Sequence, residues 1–226
     1  MHPVLYKTPY FTIYSYGVCV AIAIALAWAL TVWLSRRTSY PASQATDLLF
    51  VSFVFGMLGA RLFYVFQHAG EYAGRWHAVF FLQEGGLVWY GGFLAAVAAA
   101  MLYAKLRGLS ALAWADFFSP ILALAHAVGR VGCFLNGCCF GRAGHPVQLY
   151  ESALLVALSL FLFAVYFRRK KTGETFGYYL VGYGQLRFSL EFLRGDQQVW
   201  GVLTIPQWIS LFLIGAGVWL LARTRS

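Results

Sequence analysis

The stretch from His126 to Glu151, HAVGRVGCFLNGCCFGRAGHPVQLYE, sets an arginine inside an apolar segment and follows it with an outlet rich in glycine and cysteine. A guanidinium in hydrocarbon costs from a few to more than about 10 kcal/mol, so Arg130 is expected to face a protein interior or a water-filled cavity and to meet an anion there. Arg61 in FGMLGARLFYVF and Arg187 in YGQLRFSLEFLR pose the same problem. Three such arginines describe a cavity built for an acidic ligand. Tyr183, Arg187 and Glu191 recur every four residues and share one helical stripe, which Arg194 extends. An Arg187–Glu191 pair alone would be a structural ion pair. Arg130 tips the balance to positive and leaves a site for a phosphate, which guanidinium groups grip in bidentate fashion.

His126, Arg130 and Cys133 share a second face, at spacings of four and three. Gly129 and Gly132 flank the arginine and let a neighbouring helix or a lipid headgroup approach the backbone. His126 by itself reads as an ordinary polar group satisfied within a bundle. Asn136, at the mouth, can orient a headgroup hydroxyl or cap the helix. Cys133, Cys138 and Cys139 form C-x4-C-C, with His126 and His145 nearby in sequence. That spacing matches no standard zinc pattern, and a thiol nucleophile would need a pKa lowered by a neighbour such as Arg130. Small packing residues or a local disulfide is the expected role, and Cys19 is expected to pack. No metal is expected, since the carboxylate cluster that would hold Mg²⁺ is missing from the outward segments, and no cofactor is expected either.

The solvent around these residues follows from composition. Hydrophobic residues make up 61% and charged residues 11%, and mean hydropathy is +0.67, which together mark an integral membrane protein. The 226 residues accommodate about seven spans of ~20 residues in one domain, 1–226. Spans are expected at 12–35, 46–67, 87–106, 112–134, 148–167, 175–194 and 205–222. The fold class is therefore all-α, a polytopic membrane protein whose helices surround a central cavity open to the outer side and to lipid. The first apolar run ends in Arg36-Arg37 with no small-residue cleavage site, so it reads as a retained span.

One side collects ten Lys and Arg (Arg36, Arg37, Lys105, Arg107, Arg168, Arg169, Lys170, Lys171, Arg223, Arg225), and the other four (Lys7, Arg75, Arg142, Arg194). The positive-inside rule then puts the N-terminus outside and the C-terminus in the cytoplasm. The net charge of +9 is mainly a topology signal, with no nucleic-acid signature beside it. Residues 68–86 form an outward arm whose Trp76, His77, Phe80, Phe81 and Leu82 suit the interface, either gating lipid entry or simply anchoring. No repeat or low-complexity segment is apparent.

GRVGCFLNGCCFGR followed by HPVQLYE, with GGLVWYGG before and YGQLRFSLEFLR after, resembles the prolipoprotein diacylglyceryl transferase family of bacterial inner-membrane enzymes. The resemblance runs the length of the chain. The family signature reads approximately G-R-x-G-N-F-x-N-x-E-x-x-G, and Gly129, Arg130, Gly132, Phe134, Asn136 and Gly141 agree with it. Tyr16-Gly17, Gly59, Arg61, Asp116, Tyr183, Arg187 and Glu191 also fall where the family has equivalents. Three positions depart: Cys133 stands for the asparagine, Cys138 for the glutamate, and Tyr90 in WYGG for a histidine that many members carry. Tyrosine, with a reference pKa of about 10, is a poorer base at neutral pH unless an arginine lowers it.

The resemblance implies transfer of the diacylglyceryl group of phosphatidylglycerol to the lipobox cysteine of a prolipoprotein signal peptide within the bilayer, the first step of lipoprotein maturation. Under it Arg130, Arg187, Tyr90 and Glu191 are catalytic. Arg130 and Arg187 hold the phosphate, Glu191 fixes Arg187, and Tyr90 or an assisting carboxylate takes the thiol proton. Tyr16, Arg61, Gly129, Asn136, Gly141 and Tyr183 bind substrate. Two other readings stand beside it. One is a paralogue that binds lipid or modifies a different thiol. The other is a transporter of an anionic metabolite, although no inverted repeat supports it.

Overall fold

A backbone in hydrocarbon must satisfy its own hydrogen bonds, and each long apolar run accordingly becomes one helix. The computed structural model describes residues 3–8, 12–72, 74, 76–80, 86–194, 199–200 and 202–225. Strands β1 (Val4–Lys7) and β2 (Thr12–Tyr14) form an antiparallel hairpin. Then come α1 (Ser15–Ser35), α2 (Ala42–Gln67), the single turn α3 (Ala69–Tyr72), α4 (Trp89–Leu106), α5 (Ala111–Asn136), α6 (Val147–Arg168) and α7 (Glu174–Glu191). A second hairpin, β3 (Val199–Trp200) with β4 (Leu203–Thr204), leads into α8 (Ile205–Arg225).

Among the described residues, α1, α2, α4, α5, α6 and α8 are long and apolar enough to cross a membrane. The chain is a multi-pass membrane protein of all-α class, with two short hairpins beside its helices. Helix α7 covers the expected span 175–194 only as far as Glu191, and its 18 residues include Glu174, Arg187 and Glu191. The first span starts at Ser15 and not at 12, because Thr12–Tyr14 pair with β1. Trp28, Phe50, Phe66 and Phe212 point outward from the protein, as side chains solvated by lipid do. Of the outward arm, Trp76–Phe80 form a turn of 3-10 helix, while Arg75, Phe81 and Leu82 lie outside the described residues.

The chain divides into two compact units, residues 1–30 with 112–226 and residues 31–111. In the smaller unit α2 packs along α4. Their seam is glycine: a Cβ on Gly59 would collide with Ala95 and the Gly91 carbonyl, and one on Gly91 would collide with Phe63. The Gly-Gly after Tyr90 thus serves close helix packing. Arg61 is buried in this unit and donates from Nε to the Val79 carbonyl at 2.8 Å, from Nη2 to Ala78 at 2.7 Å and from Nη1 to Gly86 at 3.3 Å. Neutral backbone carbonyls of the arm accept these three hydrogen bonds, so Arg61 braces the arm.

In the larger unit α7 packs against α6 and α8. A Cβ on Gly177 would come within 2.8 Å of Leu221, and one on Gly217 within 2.8 Å of the Gly177 carbonyl. Asp116, fully buried on α5, accepts from the Gly173 N–H at 2.6 Å and the Phe176 N–H at 2.7 Å. It caps the start of α7 from a distant part of the chain and satisfies donors that the helix leaves unpaired. Ser152 and Ser159 of α6 donate to the Ala127 and Pro120 carbonyls of α5, at 2.9 and 2.7 Å. These polar ties set the register of the helices that carry the site.

Candidate anion-binding site

Arg130 lies on α5 and is 9% exposed. Its Nε is 2.9 Å from Oε2 of Glu151, a buried carboxylate on the first turns of α6, and its Nη1 donates to Cys133 Sγ at 3.6 Å. Four residues before it on α5, His126 brings Nε2 within 3.7 Å of the other Glu151 oxygen. On α7, Arg187 Nη1 is 2.8 Å from Glu191 Oε2, the i, i+4 pair that the stripe anticipates. Thr204 donates its hydroxyl to the second Glu191 oxygen at 2.9 Å. These groups form one neighbourhood, because His126 and Tyr183 each interact electrostatically with Glu151, Arg130 and Arg187, and their rings lie 5.6 Å apart.

Both arginine–carboxylate contacts bring charges together without aligned hydrogen bonds. Arg130 Nε and Nη2, Arg187 Nη1, Glu151 Oε2 and Glu191 Oε2 are buried and find no hydrogen-bond partner among the described residues. Donors in that state carry a desolvation penalty that an incoming anion relieves. Arg130 has its own carboxylate in Glu151, as Arg187 has in Glu191, so neither arginine by itself supplies the positive balance expected from the sequence. Arg194, just beyond α7, is also buried, and its backbone pairs with that of Gly141.

The other residues singled out in the sequence fall in three places. Gly129 has open space where a Cβ would be, so a ligand can approach the helix backbone there. Gly132 serves helix packing instead: a Cβ would lie 2.8 Å from Cys19 and 3.3 Å from the Tyr16 ring of α1. Tyr16, half exposed on the first turn of α1, interacts with the three outlet cysteines and Arg130. Asn136, the last residue of α5, is exposed. Gly141 is packed tightly, where a Cβ would meet Val147 and the Leu193 carbonyl, and it holds the outlet against the end of α7. Tyr90 and Arg61 belong to the other compact unit, and Tyr90 is exposed on the first turn of α4.

Glu151 and Thr204 were not among the site residues read from the sequence. Glu151 closes the QLYE run, where a carboxylate on an apolar helix is as conspicuous as the arginines. Thr204 opens Thr204-Ile-Pro-Gln207, a capping box, and indeed the Thr204 N–H donates to Gln207 Oε1 at 3.0 Å. What the spacing did not show is that its hydroxyl would also reach Glu191.

The outlet gathers Cys133, Cys138 and Cys139, all with free thiols, so that their sulfurs lie within 4.8 Å of one another. Gln148 holds the loop by donating to the Cys138 carbonyl at 2.5 Å, and Gly137 and Cys139 both take left-handed φ, 80° and 63°. The Cys139 thiol is lowered to about 5, first by its hydrogen bond with Cys133, then by one with Cys138 and by the positive charges of Arg130 and Arg194, against the opposing effect of burial.

The fold is that of a multi-pass helical membrane protein, with buried, under-satisfied arginine donors on α5 and α7 that can receive an anionic group. Comparison with known proteins gives the family. The model of the prolipoprotein diacylglyceryl transferase family matches residues 3–223. Among relatives named phosphatidylglycerol–prolipoprotein diacylglyceryl transferase, that of Idiomarina loihiensis is 33% identical over 93% of this chain and 88% of its own length. That of Methylobacillus flagellatus is 33% identical over 97% and 95%, and that of Clostridium tetani 30% over 96% and 96%. The chain belongs to the prolipoprotein diacylglyceryl transferase family.

Proposed function

We propose that this protein transfers the diacylglyceryl group of phosphatidylglycerol to the thiol of a lipobox cysteine in prolipoproteins, in the bacterial cytoplasmic membrane and on its outer side. The observation that carries this reading is the set of buried donors on Arg130 and Arg187 that lack aligned partners. In the reaction the acceptor sulfur attacks the glyceryl carbon next to the phosphate. A carbon–sulfur bond forms, the carbon–oxygen bond to phosphate breaks, and its electron pair leaves on glycerol phosphate. Negative charge builds on the phosphate oxygens, where preorganised guanidinium groups in a low-dielectric site stabilise it most.

Arg130 and Arg187 hold the phosphate. Glu151 and Glu191 are positioning residues that orient them, with Thr204 fixing Glu191. Gly129 lets the headgroup approach α5, Asn136 and Tyr16 orient its glycerol, and Tyr183 lines the site. Tyr90 or an assisting carboxylate takes the thiol proton, and Arg61 acts through the arm it braces. Lipid and signal peptide enter a central cavity sideways from the bilayer. The test is purified protein in phosphatidylglycerol vesicles with a lipobox peptide, read by mass spectrometry for the thioether-linked diacylglyceryl peptide. Product with phosphatidylglycerol and none with phosphatidylethanolamine supports the reading, and no product with either overturns it.

A further inference from the structure

Three thiols side by side at the mouth of a phosphate site are more than that site needs. Cys133 lies in the last turn of α5, Cys138 and Cys139 lie just beyond the helix, and all three are free of disulfides, with Cys133 Sγ accepting from Arg130 and Cys138 Sγ donating to the Cys133 carbonyl. A zinc ion with Zn–S bonds of about 2.3 Å places its sulfurs about 3.8 Å apart, within the spread of this cluster. No further His, Cys, Asp or Glu joins the group among the described residues, which therefore offer three ligands. Three protein ligands and one open position is the arrangement of zinc sites that do chemistry, whereas closed four-ligand sites are structural. The surroundings suit a thiolate-rich site, since the Arg130 guanidinium donates to Cys133 Sγ. All three cysteines are partly accessible, so a fourth ligand can arrive from outside. Cys139 also adopts a left-handed backbone that non-glycine residues seldom take, a strain found where structure holds a side chain for a purpose.

We infer that Cys133, Cys138 and Cys139 bind a thiophilic d10 ion, Zn²⁺, whose open fourth position takes the thiol of the acceptor cysteine. This rests on the transferase reading above and adds a nucleophile site to it. The incoming S–H gives its proton to the base assigned above, Tyr90 or an assisting carboxylate, as the Zn–S bond forms, because a coordinated thiol is deprotonated outright. The bound sulfur then attacks the glyceryl carbon, the Zn–S bond gives way to the C–S thioether, and phosphate leaves as before. The Arg130 contact to Cys133 places nucleophile and phosphate sites side by side, as that attack requires. Cys133, Cys138 and Cys139 are thereby metal ligands, and the thioether product, a weaker ligand than thiolate, leaves the ion.

The test uses the full-length protein in phosphatidylglycerol nanodiscs, stripped with a chelator and titrated with Zn²⁺, or with Co²⁺ as the spectroscopic probe. Expected are one ion per chain, sulfur-to-cobalt charge-transfer bands, and a change in those bands on adding a lipobox peptide but not its Cys→Ser counterpart. Transfer should fall at least tenfold on stripping and return with one equivalent of Zn²⁺. Cys133→Ser, Cys138→Ser and Cys139→Ser should each lose the bands while the helical circular dichroism persists. Full transfer by metal-free protein, a disulfide among the three thiols in active protein, or a cobalt spectrum indifferent to the peptide would overturn the inference. Metal and peptide binding with no transfer under any condition would instead sink the transferase reading, so the two failures are distinguishable.

Discussion

Arg130 and Arg187 sit in the same predicament: each is charge-paired and has buried donors short of aligned acceptors. A planar fork can engage two phosphate oxygens where an ammonium offers a point charge. Arg130→Lys and Arg187→Lys should therefore each lower transfer by roughly 10²-fold, the scale of losing one preorganised donor, while expression and helicity hold. Near-normal transfer by either folded variant would remove it from the phosphate site. Tyr90→Phe removes only a hydroxyl, and transfer should fall about 10²-fold if that oxygen receives the thiol proton. Unchanged transfer in Tyr90→Phe would assign the proton to His126, Glu151 or metal-assisted ionisation. Glu151, His126 and Arg130 meet from two helices, and only their meeting distinguishes the histidine from an ordinary polar group in a bundle.

At the scale of the element, α7 depends on a neighbour for its start. Its N-terminal N–H groups point at Asp116, and no side chain of its own N-cap residue, Gly173, could serve them. Gly173 itself has φ 98°, with Leu112 close by, so glycine is required there for its backbone. Asp116→Ala should destabilise the protein by about 1–2 kcal/mol through loss of this cap. Thermal unfolding in detergent should show a lower midpoint, with transfer per folded molecule nearly unchanged. A fall in transfer with no change in stability would place Asp116 in the chemistry. The same helix carries Arg187 and Glu191, so its register decides where one half of the phosphate grip stands.

For the whole molecule, the question is whether α7 crosses the membrane. At 18 residues it is about 27 Å long, close to the hydrocarbon thickness of about 30 Å. The basic residues that follow α1, α4 and α6 and end α8 lie at helix ends that share a side only if every intervening helix crosses. The N-terminus should accordingly be outside and the C-terminus cytoplasmic. A reporter active only in the cytoplasm should work when fused after Arg225, and one active only outside should fail there. The reverse pattern would mean that α7 returns without crossing.

Periodicity and composition were enough to show a helical membrane protein, the positions of six of the seven expected spans within a few residues, and the Arg187–Glu191 stripe, because these depend on local spacing in one helix. The motif around Arg130 showed the family for a similar reason: it is contiguous. Contacts between helices were not legible, since a single sequence does not say which faces meet. Only the tertiary structure paired Arg130 with Glu151, turned Arg61 towards backbone carbonyls and sent Asp116 to cap a helix some sixty residues away. It also gathered three sulfurs whose spacing fits no standard zinc pattern, because a left-handed turn after α5 closes a distance that residue counting leaves open.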